Sequence, residues 1–231
     1  MSDPTRDPGD TCPVAGTRSV AGTRPIAATR TGADTRTVAD NPAAADGRRV
    51  ADNRPVMVEV RTADFAFVLG VRLDRAPISS RYFLDDVDAR LLDGSSIFRI
   101  VTLQNQPASQ PAKIEVIQMG FPEMDSTIPP TIVHESTQQT GLRHLKGTVS
   151  LARFAPGAVY HSFFVCMRDE PALDHGRTRN PDGMGFAAFG FVAAGFEHLQ
   201  RVFAAHAAAG LPEYLDSPFF LKTVRRVSAP G

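Results

Sequence analysis

The sequence predicts a mainly β domain: a closed antiparallel barrel served by two helices. Three observations predict it. Apolar runs of strand length, Thr148–Arg153, Ser162–Met167 and Phe186–Gly190, are separated by Gly-, Pro- and Asp-containing turns. Val56, Val58 and Val60 alternate with Met57, Glu59 and Arg61, the period of a half-buried strand. Helical periodicity shows in only two places, at Phe83, Val87 and Leu91 and at Phe196, Leu199 and Phe203. Many strands with two helices close most simply as a barrel, which leaves no edge unpaired.

The chain has 231 residues, 42% hydrophobic and 22% charged, with a formal net charge of zero. That length holds one domain and an appendage. Zero net charge gives no electrostatic reason to expect nucleic acid or an anionic membrane as a partner. No apolar run reaches the 18 or so residues of a membrane span. Met1–Asp7 lacks the apolar segment of a secretory leader, so the expected compartment is the cytoplasm. Cys12 lies in a polar stretch and Cys166 in an apolar one, a pair not expected to form a structural disulfide.

Residues 1–55 read as a disordered tail. Arg18, Arg24, Arg30 and Arg36 recur every six residues among Ala, Thr, Asp and Gly, with almost no large apolar side chain. Such a segment buries too little surface to offset about 1–2 kcal/mol per residue of backbone ordering. A hexad period invites a left-handed β-helix, but the register places Arg at the corner that fold fills with small residues. A role for the spaced arginines toward an acidic partner stays open.

The folded domain is expected over 56–228. Val56–Arg61 and Phe65–Leu73 form a hairpin around Ala63-Asp64. A helix follows, capped by Ser79 or Ser80 and stopped by Asp93-Gly94. Ser96–Val101 is a strand carrying one arginine, Arg99. Thr102–Lys113, rich in Gln, Asn, Pro and Ser, reads as an exposed loop. Ile114–Gly120 follows, and Pro122–Thr140 is irregular. The central strands follow, then a polar loop at Arg177–Gly183, a helix over Phe196–Ala208 with Gly210 behind it, and a closing strand over Phe219–Val227.

These pieces resemble, in order, the cyclophilins, the peptidyl-prolyl isomerases. Arg75-Ala76-Pro77, Tyr82-Phe83-Leu84, Val87 and Leu92-Asp93-Gly94 match the family's first helix. Phe98-Arg99-Ile100-Val101 is similar to its F-H-R-[IV]-[IV], and Ile114–Gly120 to its F-M-x-Q-G-G. Gly147–Arg153, Ser162-Phe163-Phe164-Val165, Leu173-Asp174 and Phe186–Gly190 match its central strings. The resemblance implies an eight-stranded barrel with one helix capping each end. It implies an isomerase acting on X–Pro bonds in protein clients, with Arg99 and Gln118 catalytic. Phe164, Leu173, Ala152, Phe186, Ala172, Val116 and Ser162 would then line the proline site. A non-catalytic proline-peptide-binding scaffold is the alternative. The partners implied are proline-containing peptides or unfolded clients, with no cofactor and no metal, and the chain is expected to be a monomer.

Five positions depart from the family strings: Glu115, Val116, Ser162, Ala172 and Phe186. Glu115 would either pair with Arg99 or point to water. Ala172 replaces an indole that the family uses as a donor, which implies weak binding of cyclosporin-type ligands. The six histidines show no metal-ligand spacing. His161 and His175 read as solvent-facing loop residues, Cys166 as a small buried hydrophobe, and Phe65, Phe67, Phe163, Phe189 and Phe191 as core.

Overall fold

The computed structural model describes residues 53–122 and 131–228. All of them lie in the second of two units into which the chain divides, residues 47–231. Most of the expected disordered tail therefore falls outside the described residues.

β1 (Val56–Arg61) and β2 (Ala66–Val71) form the first hairpin. Its turn is held by Thr62, whose Oγ1 accepts the backbone N–H of Asp64 and of Phe65. α1 (Pro77–Asp88) crosses the interior of the sheet. Its Phe83 meets Phe163 edge-on at 5.0 Å and Phe189 at 4.9 Å, which fixes the helix against the central strands. β3 (Ser96–Val101), β4 (Val116–Gly120), β5 (Thr148–Arg153), β6 (Val159–Cys166) and β7 (Ala187–Ala194) follow, with the short α2 (Thr137–Thr140) between β4 and β5. α3 (Phe196–Ala208), β8 (Tyr214–Phe220) and β9 (Thr223–Val227) complete the chain.

The strands make one curled antiparallel sheet in the order β8-β3-β4-β6-β5-β7-β2-β1-β9. The expected closed eight-stranded barrel is corrected to an open sheet, with nine strands among the described residues. The single closing strand expected at Phe219–Val227 is in fact two. β8 pairs with β3 at one edge and β9 with β1 at the other, with only Leu221 and Lys222 between them. At this corner the Leu221 N–H donates to Ser95 O and the Lys222 N–H to Arg61 O. The backbone thus serves both edges in turn, and no ladder joins β8 to β9.

Two further expectations are corrected at α1. Neither Ser79 nor Ser80 caps it; both hydroxyls are buried without a hydrogen-bond partner among the described residues. The cap comes from far along the chain: Glu135 Oε1 accepts the Ile78 N–H at 3.1 Å and Oε2 the Ser79 N–H at 2.7 Å. A carboxylate at a helix N-terminus also meets the positive end of the helix dipole. The helix ends at Asp88 rather than at Asp93-Gly94, because Arg90 takes a left-handed conformation, φ 55°.

Period-two alternation sorts the central strands into two faces. Ile97, Ile100, Ile117, Met119, Val149, Leu151, Phe163 and Val165 join the large core inside the curl. Val101, Val116, Ala152, Phe164 and Cys166 build a second, smaller cluster on the outer face, completed by Leu173 and Ile114. Phe163 and Phe189 are core as expected, while Phe191 is one-third exposed.

Candidate active site

The outer face carries the site, and strand register assembles it. Arg99 on β3 lies opposite Gln118 on β4, Gln118 opposite Phe164 on β6, and Phe164 opposite Ser150 on β5. Cross-strand partners share a face. Arg99 and Phe164 are therefore two strand spacings apart on one surface, roughly 10 Å between backbones.

Around this row is a hollow of about 90 Å³, lined by Arg99, Gln118, Val116, Ala152, Phe164, Leu173 and Phe186. Seven of the nine sequence-predicted site residues thus come together. Ser162 sits one step behind, its hydroxyl accepting from Gln118 Nε2 at 3.1 Å and donating to Met119 O. Ala172 is not among the lining residues; it belongs to the turn Pro171–Leu173 and its carbonyl accepts the Arg179 N–H. A larger cavity of about 560 Å³ lies between α3 and β8, with a mostly apolar lining. It includes Ile100, which faces away from Arg99 into the main core, so that cavity is not part of this site.

The Arg99 guanidinium is held on two sides. Nη1 donates to Gln118 Oε1 at 3.1 Å, and Nε and Nη2 both donate to Glu213 Oε2 at 2.9 and 2.6 Å. The Tyr214 ring lies under its carbon at 5.4 Å. Three of five N–H groups are used, which leaves one on Nη1 and one on Nη2. Gln118 is spent on this bracing: its Nε2 donates to Tyr160 Oη at 2.8 Å and to Ser162. Both expectations for Glu115 give way. It is Glu213 that pairs with Arg99, while Glu115 lies 3.4 Å from Arg168, which also binds Glu170 at 2.8 Å.

The floor is aromatic. Phe164 is buried, meets Phe186 edge-on at 5.2 Å, and stacks on His144 at 6.1 Å. His144 in turn joins Asp174 through Nδ1 at 2.8 Å and Ser150 Oγ through Nε2 at 3.1 Å. This network fits a neutral ring with its proton on Nδ1, accepting from the Ser150 hydroxyl. Burial holds the imidazole below its ordinary pKa although Asp174 opposes the shift. The connectivity is that of a hydrolase triad, but Ser150 and His144 are sealed from solvent beneath Phe164, so the three groups support the floor and attack nothing.

Sequence reasoning missed Glu213, Arg153, Arg179, Tyr160 and the His144 network. Arg153 stands at the last position of the matched string Gly147–Arg153, a signal that could have found it. It donates to Gly185 O and, through both Nη atoms, to Asp182, with its carbon 5.0 Å above the Phe186 ring. Gly185 has φ 66°, and a Cβ there would stand 2.5 Å from Leu173 O, so the loop presses on the site only with glycine at that position. His161 is corrected too. It lies in β6, stacks on Tyr82 and binds Asp86 Oδ2 through Nδ1 at 2.9 Å, so it is not a loop histidine. The Thr102–Lys113 loop is not wholly exposed either, since buried Gln106 bonds to Thr102 O, Ile114 O and the Ile114 N–H. Cys166 is fully buried, and burial pushes its thiol well above the usual range, consistent with a packing role.

Comparison with known proteins bears on the family and the fold. Residues 57–212 match the family model described as cyclophilin type peptidyl-prolyl cis-trans isomerase/CLD. The chain is 28% identical over 132 residues to peptidyl-prolyl cis-trans isomerase A of Dickeya dadantii; the match spans 55% of this chain and 60% of that relative's length. A cyclophilin-type isomerase of Cryptosporidium parvum shares the fold with a TM-score of 0.58 at 16% identity, over 76% of this chain and 99% of that one. The same parasite protein, crystallised in the presence of the dipeptide Ala-Pro, superposes with a TM-score of 0.57 at the same identity, over 75% of this chain and 99% of that one. The family match over most of the domain, together with the shared fold, places this chain in the cyclophilin-type peptidyl-prolyl cis-trans isomerase family.

Proposed function

We propose that the chain accelerates cis–trans rotation about X–Pro bonds in peptides and unfolded protein clients, acting as a monomer without a cofactor. One observation carries the reading: a braced guanidinium with two free N–H groups beside an apolar, aromatic-floored hollow. Rotation about the amide faces about 18–20 kcal/mol because the nitrogen lone pair is conjugated with the carbonyl. At the twisted geometry that lone pair is localised on nitrogen. A donor aimed at it stabilises the twisted state more than either planar state, which is what acceleration requires. Arg99 supplies that donor from a rigid, planar guanidinium. Phe164, Leu173, Val116, Ala152 and Phe186 hold the pyrrolidine ring by apolar contact. Gln118 positions Arg99 rather than touching the substrate, because both of its amide hydrogens are already engaged.

The scaffold alternative would need the guanidinium to be occupied. Glu213 takes two of its N–H groups and leaves two, so the ion pair does not block it. NMR exchange on an Ala-Pro peptide tests the reading. Wild type should broaden or exchange the cis and trans signals and Arg99→Ala should not; binding without exchange enhancement in wild type would favour the scaffold.

A further inference from the structure

Three guanidinium groups line the one small hollow: Arg99, Arg153 and Arg179. Like charges this close are unfavourable unless each is matched. Arg99 is matched by Glu213, and Arg153 by the two-pronged contact with Asp182. Arg179 is not. Its Nη1 donates to Gln106 Oε1 at 3.0 Å and to Ala112 O at 2.8 Å, both neutral acceptors. Among the described residues no carboxylate is within salt-bridge distance of it; of the two whose charge reaches it, Glu213 is engaged by Arg99 and Glu170 by Arg168. Among the described residues, Arg179 is thus the one of the three lining guanidiniums that forms no ion pair.

Arg179 is also built into place. Its loop is tied down where His175 N–H donates to Thr137 Oγ1, Gly176 N–H to Gly183 O and Arg179 N–H to Ala172 O. With the two Nη1 bonds, the side chain is fixed before any ligand arrives, so little rotamer freedom remains to be lost on binding. Half-burial and the repulsion of Arg99 both disfavour its charge, in that order, and Glu213 and Glu170 offset them only in part. An anion arriving beside Arg179 relieves that disfavoured charge. The hollow itself, about 90 Å³, has room for little beyond a proline ring, so the anion must come from a neighbouring residue of the substrate.

We propose that Arg179 is a specificity residue that selects substrates with an anionic side chain, a carboxylate or a phosphorylated hydroxyl, on the residue flanking the proline. This rests on the isomerase reading. The test is the exchange rate enhancement on Ala-Xaa-Pro-Phe and Ala-Pro-Xaa-Phe peptides with Xaa Ala, Glu, phosphoserine or Lys, for wild type, Arg179→Gln and Arg179→Lys. Wild type should favour Glu or phosphoserine over Ala by about 5- to 10-fold at one of the two positions, the size of a charge-assisted hydrogen bond at a half-buried site, and should disfavour Lys. The ratio of anionic to Ala substrate should collapse toward one in Arg179→Gln and be largely restored in Arg179→Lys; using the ratio cancels any general loss of activity. In wild type the ratio should shrink as salt rises from about 0.05 to 0.5 M, a reading that needs no variant to fold. Preference for Glu or for phosphoserine alone assigns the source of the anion. Equal rates for Ala, Glu and phosphoserine at both positions overturn the proposal, as does a preference that survives Arg179→Gln. If wild type fails on every peptide, the isomerase reading falls instead, and the same peptides then test the preference through binding shifts.

Discussion

Glu213 offers the most informative perturbation. Its Oε2 accepts from Nε and Nη2 of Arg99, with the Arg99 side chain 26% exposed and that of Glu213 17% exposed. Glu213→Ala frees one end of a long side chain whose rotamer entropy is about 2 kcal/mol. Gln118 and the Tyr214 ring still restrain the guanidinium, so about half of that, ~1 kcal/mol, is the cost of re-forming the productive geometry in the transition state. A loss of ~1 kcal/mol is about 5-fold in kcat/KM, since 1.36 kcal/mol is tenfold. Glu213→Gln keeps a carbonyl oxygen that accepts both N–H groups, and it should stay within about 2-fold of wild type. The pair at intermediate exposure contributes about 1 kcal/mol to folding, so both variants should remain folded at 25 °C. Exchange rates at saturating and limiting peptide separate kcat from KM; a positioning role lowers kcat with little change in KM. If Glu213→Ala turns over faster than wild type, the carboxylate competes for the arginine rather than holding it, and the reasoning fails.

Other outcomes follow from the same contacts. Glu135→Ala strips two backbone N–H groups at the start of α1 of their acceptor, and the urea midpoint should fall by the equivalent of about 1–2 kcal/mol, with Glu135→Gln losing less. His144 is held neutral by burial, below its unfolded value near 6.5, so its stabilising effect is complete above that value and is lost as pH falls through it. Half-buried His134, its imidazole also held below its ordinary range by desolvation, acts in the same direction. Urea midpoints should therefore drop between pH 7.5 and 5.5, and the drop should be smaller in His144→Asn; an unchanged profile contradicts the buried neutral ring. With alanine at 172 in place of the family's indole donor, cyclosporin should bind weaker than micromolar by calorimetry, and a sub-micromolar affinity would refute this account of the hollow's rim.

Much of the site was legible because it lies on regular strands. The resemblance of the strings, in their order along the chain, to those of the cyclophilins singled out Arg99, Gln118 and Phe164, and strand register brings the three side by side. The parts that were not legible depend on distant pieces of chain meeting. Glu213 comes from the turn between α3 and β8, 114 positions from the arginine it holds, and no local period marks it. Glu135 caps a helix 57 positions away, while the nearer serines have the right chemistry and the wrong geometry. Arg179 sits in a polar loop, where a charged residue ordinarily reads as solvated surface. The open sheet is hidden for a similar reason: a continuous run of strand-forming residues over Phe219–Val227 does not reveal that the chain changes partners at Leu221.

The central claim is that a positively charged planar donor at position 99 drives rotation while the apolar floor only binds. Exchange NMR on an Ala-Pro peptide with wild type, Arg99→Lys and Arg99→Ala measures this directly, with peptide affinity read in the same titration. The account predicts a loss of about 100-fold or more for Arg99→Ala, the usual scale for removing a transition-state donor, an intermediate loss for Arg99→Lys, and affinities within a few-fold of wild type. Acceleration by Arg99→Ala equal to that of wild type, with the peptide still bound in the hollow, would contradict it.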